Sequence, residues 1–198
     1  MRKWSKALAI ILCAICLVTA SVMITIAAIM VKSEPVKNTF VVGKIGLTLD
    51  ESDVDELGEP IEGADPVTEN TYKLYADRTY QKDPVVHIAA NSEDCYVFIK
   101  IDNEIANIES DEEPNIDSQI KDNGWTAMEN GVYYQTYTSN EEQVDLKVFE
   151  QFAIGTVNYD ELLTYENKSI IIMAYAVQTE EFTPQSAWEM IDTEYGVS

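Results

Sequence analysis

YENKSIIIMAYAVQTEEFTPQSAW, residues 165–188, decides how the rest of the chain is read. From Ser169 to Gln178 it is apolar at odd and even positions alike, so a strand here must be covered on both faces. A polar turn follows, and Thr183 with Pro184 makes an N-cap and first-turn pair. The helix so begun places Ala187, Trp188, Ile191 and Tyr195 on one face. A buried strand beside a docking helix is therefore predicted, with Tyr175, Val177 and Trp188 in the core and Trp188 seated on the sheet that contains Ile170 to Val177.

Upstream, period-2 patterns dominate. Asn38 to Leu49 sets Val41, Ile45, Leu47 and Leu49 on one side. Thr71–Tyr75, Val85–Ala89 and Cys95–Ile101 read as strands, and in the last Cys95, Val97, Ile99 and Ile101 alternate with Tyr96, Phe98 and Lys100. Val144–Ile154 supplies one further strand. Between the first two segments, Asp50 to Asn70 is acidic, bears Gly and Pro and holds few large apolar residues, so it reads as a long exposed loop. A short helix is predicted around Ile116 to Lys121, stopping at Asn123-Gly124. Asn130-Gly131 predicts a hairpin joining Trp125–Met128 to Val132–Thr138. Seven to nine strands with minor helices predict an all-β fold, an antiparallel jelly-roll-like β-sandwich.

The first thirty-one residues stand apart. Arg2, Lys3 and Lys6 precede an uncharged run from Ala7 to Val31, long enough to cross about 30 Å of hydrocarbon. Residues 1–31 read as a signal peptide or a retained membrane anchor, and residues 32–198 as one exported domain. The positive flank keeps the N-terminus inside and sends the rest out. Arg2, Lys3 and Lys6 are three of the 13 Lys and Arg, which leaves ten against 35 Asp and Glu, a formal charge of −25 over 167 residues. A domain so acidic is unsuited to nucleic acid or to anionic lipid, so contact with a membrane is expected only through residues 7–31. Cys95 is the one cysteine beyond the leader, which excludes a disulfide within the domain, and its acidic neighbours Glu93 and Asp94 disfavour a thiolate.

Four segments bear a likeness to a known family. They are NTFVVGKIGLTLDE (38–51), YQKDPVVHIAANSEDCYVFIKIDN (80–103), GWTAMENGVYYQTY (124–137) and AYAVQTEEFTPQSAW (174–188), in this order behind a long leader. Together they resemble the TasA/camelysin group of biofilm-matrix proteins, exported with a SipW-type signal peptide. The resemblance implies a jelly-roll domain, secreted to the extracellular matrix or cell surface of a Gram-positive bacterium, that self-associates or joins related matrix subunits into fibres. It implies a signal peptidase as a partner during export. The leader departs from the family pattern by ending IAAIMVKSEP, without the usual small-residue and aromatic stretch.

Reactive chemistry finds little footing. His87 is the sole histidine and no H-E-x-x-H is present, whereas a catalytic zinc takes about three protein ligands, usually with at least two histidines. The peptidase activity attached to camelysin is therefore the alternative rather than the leading reading, and neither a catalytic set, a metal nor a cofactor is expected. The acidic run from Asp53 fails as an EF-hand: Leu57 occupies a ligand position and Ala64 stands where a bidentate Glu belongs. Lys82-Asp83-Pro84 reads as a turn directing the next strand. The segment just after the leader, with Phe40, Val41, Val42, Ile45, Leu47 and Leu49, can close its own sheet or leave and add to a neighbour's edge. Cys95, Val97 and Ile99 complete the predicted core. A monomeric, membrane-anchored binding module is the third reading.

Overall fold

The computed structural model describes residues 44–112 and 115–197. Among them lie strands β1 (Leu47–Asp50), β2 (Thr79–Gln81), β3 (Val85–Ile88), β4 (Cys95–Asn103), β5 (Thr126–Ala127), β6 (Val132–Tyr137), β7 (Val144–Lys147), β8 (Gln151–Ala153) and β9 (Ile170–Gln178). Three helices, α1 (Ile116–Asp122), α2 (Tyr159–Leu163) and α3 (Pro184–Tyr195), accompany them. Every ladder is antiparallel. The fold is all-β. Its strands form sheets in the orders β1-β3-β7, β2-β8 and β5-β6-β4-β9.

β4 is the hub. Its odd residues Cys95, Val97 and Ile99 are fully buried in the main core, beside Val86 and Ile88 of β3, Phe152 of β8 and Ile116 and Ile120 of α1. Its even residue Phe98, also fully buried, points the other way into a second cluster with Val132, Val177, Ala187 and Ile191. The four-stranded sheet is thus covered on one face by the other strands and α1, on the other by α3. Each fully buried side chain of this size contributes about 1.5–3 kcal/mol of transfer free energy. β9 pairs with β4 along its whole length and divides in the same way: Ile170, Ile172, Ala174 and Ala176 face the main core, Tyr175 and Val177 the helix.

α3 starts and stops where its ends dictate. The Thr183 hydroxyl accepts from the Ser186 N–H, and the Ser186 hydroxyl accepts from the Thr183 N–H, so two donors at the helix start are satisfied reciprocally. Gly196 ends it at φ +63°, a left-handed cap suited to glycine. Trp188 is half-buried, its ring 5.6 Å from Phe98 and 6.0 Å from Tyr175. The hairpin at Asn130-Gly131 has φ of +58° and +72°, the signs a primed two-residue turn requires. α1 ends at Asn123 as expected.

Three expectations are corrected. Thr71–Tyr75 is not a strand. Its polar groups are satisfied one by one: the Lys73 N–H donates to Glu56 O, the Tyr75 N–H to the Tyr80 hydroxyl, and the Tyr72 hydroxyl to Gln81 O. Val144–Ile154 is two strands in different sheets, because Val148 and Phe149 are both buried in the main core and adjacent residues of one pleated strand cannot share a side. Residues 50–70 are not exposed throughout: Glu51 and Val54 are buried, and Glu51 exchanges both backbone bonds with Val67. The leader, residues 1–31, lies outside the described residues. Among those that are described, no helix is long and apolar enough to cross a membrane.

Candidate functional site

β1 ends one edge of its sheet and β9 ends one edge of the four-stranded sheet, and the two approach without sharing a ladder. Between them opens a cleft of about 1140 Å³. Leu49 and Glu51 form one wall, Ile170–Ile172 the opposite one, Asn70, Tyr72 and Leu74 the rim, and Leu162 and Leu163 of α2 the near end. Leu163 and Ile171 are exposed at its mouth. β9 therefore presents a nine-residue edge, apolar in sequence, with no second strand partner among the described residues. Unpaired N–H and C=O groups in a row are a template for another strand.

The cleft wall carries a polar cluster. Lys82 is 8 % exposed and Glu51 6 %, and Lys82 Nζ donates to Glu51 Oε2 at 2.6 Å. Asn70 Nδ2 donates to the other oxygen, Glu51 Oε1, at 3.0 Å and to Ser52 O at 2.8 Å. Asn70 Oδ1 accepts from the Val54 N–H at 3.1 Å. The adjoining Asp83 carboxylate accepts from Ser52 N–H and hydroxyl, at 2.9 and 2.7 Å. The Lys82-Asp83-Pro84 turn thus docks residues 51–52 through both its charged side chains. Burial first, then the charges of Glu51 and Asp83, push the Tyr72 hydroxyl far above its ordinary pKa. A buried ion pair of this kind is costly to form and costlier to break on one side.

On the outer face of the β1-β3-β7 sheet, His87 sits between two carboxylates. Its Nδ1 lies 2.7 Å from Asp145 Oδ1 on β7, its Nε2 3.0 Å from Asp50 Oδ1 on β1. His87 and Asp145 are direct cross-strand partners; Asp50 is diagonal, opposite Val85. The hydrogen bond to Asp145 is the largest influence and raises the His87 pKa; burial, the next largest, opposes it, and the bond to Asp50 adds to the rise. Among the described residues no group of three or more His, Cys, Asp or Glu is placed to hold a metal ion.

Of the residues singled out for assembly, Phe40, Val41 and Val42 lie outside the described residues. Ile45, Leu47 and Leu49 are half-buried against the main core, and β1 pairs with β3 of the same chain, Leu47 opposite Ile88 and Leu49 opposite Val86. Of the core set, Cys95, Val97 and Ile99 are fully buried, Val177 is 9 % exposed, and Tyr175 and Trp188 are half-buried. Burial, with a smaller part from Asp94, pushes the Cys95 thiol up to about 11, which leaves it inert. The Lys82–Glu51–Asn70 cluster and the His87 clamp escaped sequence reasoning, although one signal was present: Tyr80, Lys82, Pro84, Val86 and Ile88 alternate, and all five are buried.

Neither a family model, nor a curated protein, nor a solved structure matches this chain.

Proposed function

We propose that the chain is a secreted or cell-surface structural protein of the extracellular biofilm matrix, a jelly-roll-like sandwich that assembles into fibres by strand donation. The edge of β9, which has no second strand partner among the described residues and faces a cleft beside β1, carries this reading. A segment such as Asn38–Leu49 entering from a neighbouring copy would gain ladder hydrogen bonds on that edge and bury its apolar side against Ile170 and Ile172. The leader, read as a signal or anchor helix, brings the domain outside the cell, and the strongly acidic surface keeps unassembled copies soluble. The reading needs no catalytic group.

Electron microscopy of the purified chain across a concentration series tests it, with and without a synthetic peptide of residues 38–49. Filaments should appear above a threshold concentration and shorten as the peptide caps their growing ends. A chain that stays monomeric at every concentration would make it an anchored binding module instead. Filaments of normal length at saturating peptide would exclude donation by this segment.

A further inference from the structure

We infer that Lys82, Asn70 and Glu51 form an autocatalytic site that joins Lys82 Nζ to Asn70 Cγ in an intramolecular isopeptide bond. The inference rests on three roles filled by three side chains. Lysine amines are nucleophiles towards carbonyl carbon once they have lost a proton. A carboxyl group held against both the nucleophile and the leaving group can carry that proton from one to the other. A fixed N–H aimed at the carbonyl oxygen stabilises the charge that develops there.

Glu51 has one oxygen on each partner: Oε2 on Lys82 Nζ at 2.6 Å, Oε1 on Asn70 Nδ2 at 3.0 Å. The Asn70 amide is fixed at all its polar positions, Nδ2 by Glu51 and by Ser52 O, Oδ1 by the Val54 N–H. An ion pair alone would not call for an amide so immobilised beside it. Lys82 and Glu51 are buried, and Tyr72 and Phe152 line the same cleft in ring contact at a centroid distance of 5.4 Å. In such a site, moving the proton from Lys82 to Glu51 turns two buried charges into two neutral groups. Holding the reactants together removes the entropy cost of their encounter.

The step balances without a co-reactant. The Lys82 ammonium gives a proton to Glu51 Oε2, and the free amine attacks Asn70 Cγ. The carbonyl electron pair moves onto Oδ1, which accepts a hydrogen bond from the Val54 N–H. Glu51 passes that first proton through Oε1 to Nδ2, then takes a second one from the attacking nitrogen and relays it the same way. The electron pair on Oδ1 re-forms the carbonyl, the Cγ–Nδ2 bond breaks, and the nitrogen leaves as ammonium. One C–N bond forms, one C–N bond breaks, and nothing is oxidised or reduced. The product ties the end of the acidic loop to the turn before β3 and locks the Tyr72–Leu74 rim of the cleft. It depends on none of the residues proposed to donate a strand upstream of Asp50.

Peptide mass spectrometry on the full chain, purified from the cells that produce it, decides the matter. Trypsin cuts after Lys44, Lys73, Arg78 and Lys100, and a bonded Lys82 resists it. The expected product is a branched species in which residues 45–73 are joined to residues 79–100, lighter than the two together by one ammonia. Recovery of the linear 45–73 peptide together with a peptide ending at Lys82 would overturn the inference. Glu51→Gln, which keeps the shape but cannot shuttle the proton, should yield only linear peptides. A branched species from that variant would remove Glu51 from its role.

Discussion

Replacing Trp188 with alanine removes the contact that fastens α3 to the sheet. A fully buried tryptophan lost to alanine costs about 3–5 kcal/mol. Trp188 is only half-buried, which lowers the transfer part, yet its ring lies over Phe98, itself fully buried, and meets Tyr175 edge-on. Aromatic pairs add about 0.5–1.5 kcal/mol each beyond the area they bury. Together these set the expected loss at roughly 3 kcal/mol, most of it from uncovering Phe98. With a urea dependence of about 2 kcal/mol per molar, the midpoint should fall by about 1.5 M. Far-ultraviolet circular dichroism during a urea titration measures this, and Trp188→Phe, which keeps a ring over Phe98, should recover most of the loss. A shift in the alanine variant below about 0.25 M at unchanged slope would show that α3 does not cover the second face of the sheet.

Two further outcomes follow from the strand edges. Ile171 is 47 % exposed at the mouth of the cleft, so Ile171→Lys should leave unfolding within about 0.5 kcal/mol of wild type while a charge on the edge abolishes filaments seen by electron microscopy. Filaments of wild-type length from that variant would remove this end of β9 as the acceptor. The His87 clamp predicts a pH profile. Because its folded pKa is raised, by Asp145 first and then Asp50, its contribution is fully present below the ordinary histidine value of about 6.5 and is lost as pH rises through the folded value. Asp145 is lowered by His87, so its contribution is present above the ordinary carboxylate range and lost as pH falls through its folded pKa. Stability measured by urea titration should therefore decline from mildly acidic towards alkaline pH in the wild type and stay flat over that range in His87→Gln.

The parts of the fold legible in the sequence are those where local chemistry and tertiary burial agree. Ile170–Gln178 is apolar on both sides because both sides are covered, and Thr183-Pro184 announces α3 through groups that act within one turn. Asn130-Gly131 does the same for its hairpin, since positive φ at two successive residues narrows the choice of side chain. What failed depends on contacts made at a distance. The pattern from Val144 to Ile154 looks continuous, and only the burial of Val148 and Phe149 in the same core shows that the chain turns into another sheet. Thr71–Tyr75 alternates well, but its hydrogen bonds go to a side chain and to scattered carbonyls. Lys82 was legible in principle. It holds an inward position of a strict alternation, and a charge there demands a partner that sequence separation hides, Glu51 thirty-one positions earlier.

The end of β1 is where the three features meet. Asp50 and Glu51 are consecutive and so point to opposite sides of the strand. Asp50 is held outside by His87, Glu51 inside by Lys82 and Asn70, and the Glu51 backbone is clipped to Val67. Upstream, Leu47 and Leu49 are only half-buried and, among the described residues, share a ladder with β3 alone. Local opening starts where buried contacts are fewest, so release would begin before Leu47 and run out at Asp50. If Asn38–Leu49 leaves for a neighbour, the pivot is therefore the Asp50-Glu51 pair. Loss of the His87 proton weakens the outer anchor, whereas the Glu51 backbone stays clipped to Val67. A donor strand tethered in this way keeps its reach short, and a short reach raises the effective concentration of the strand at an adjacent acceptor edge.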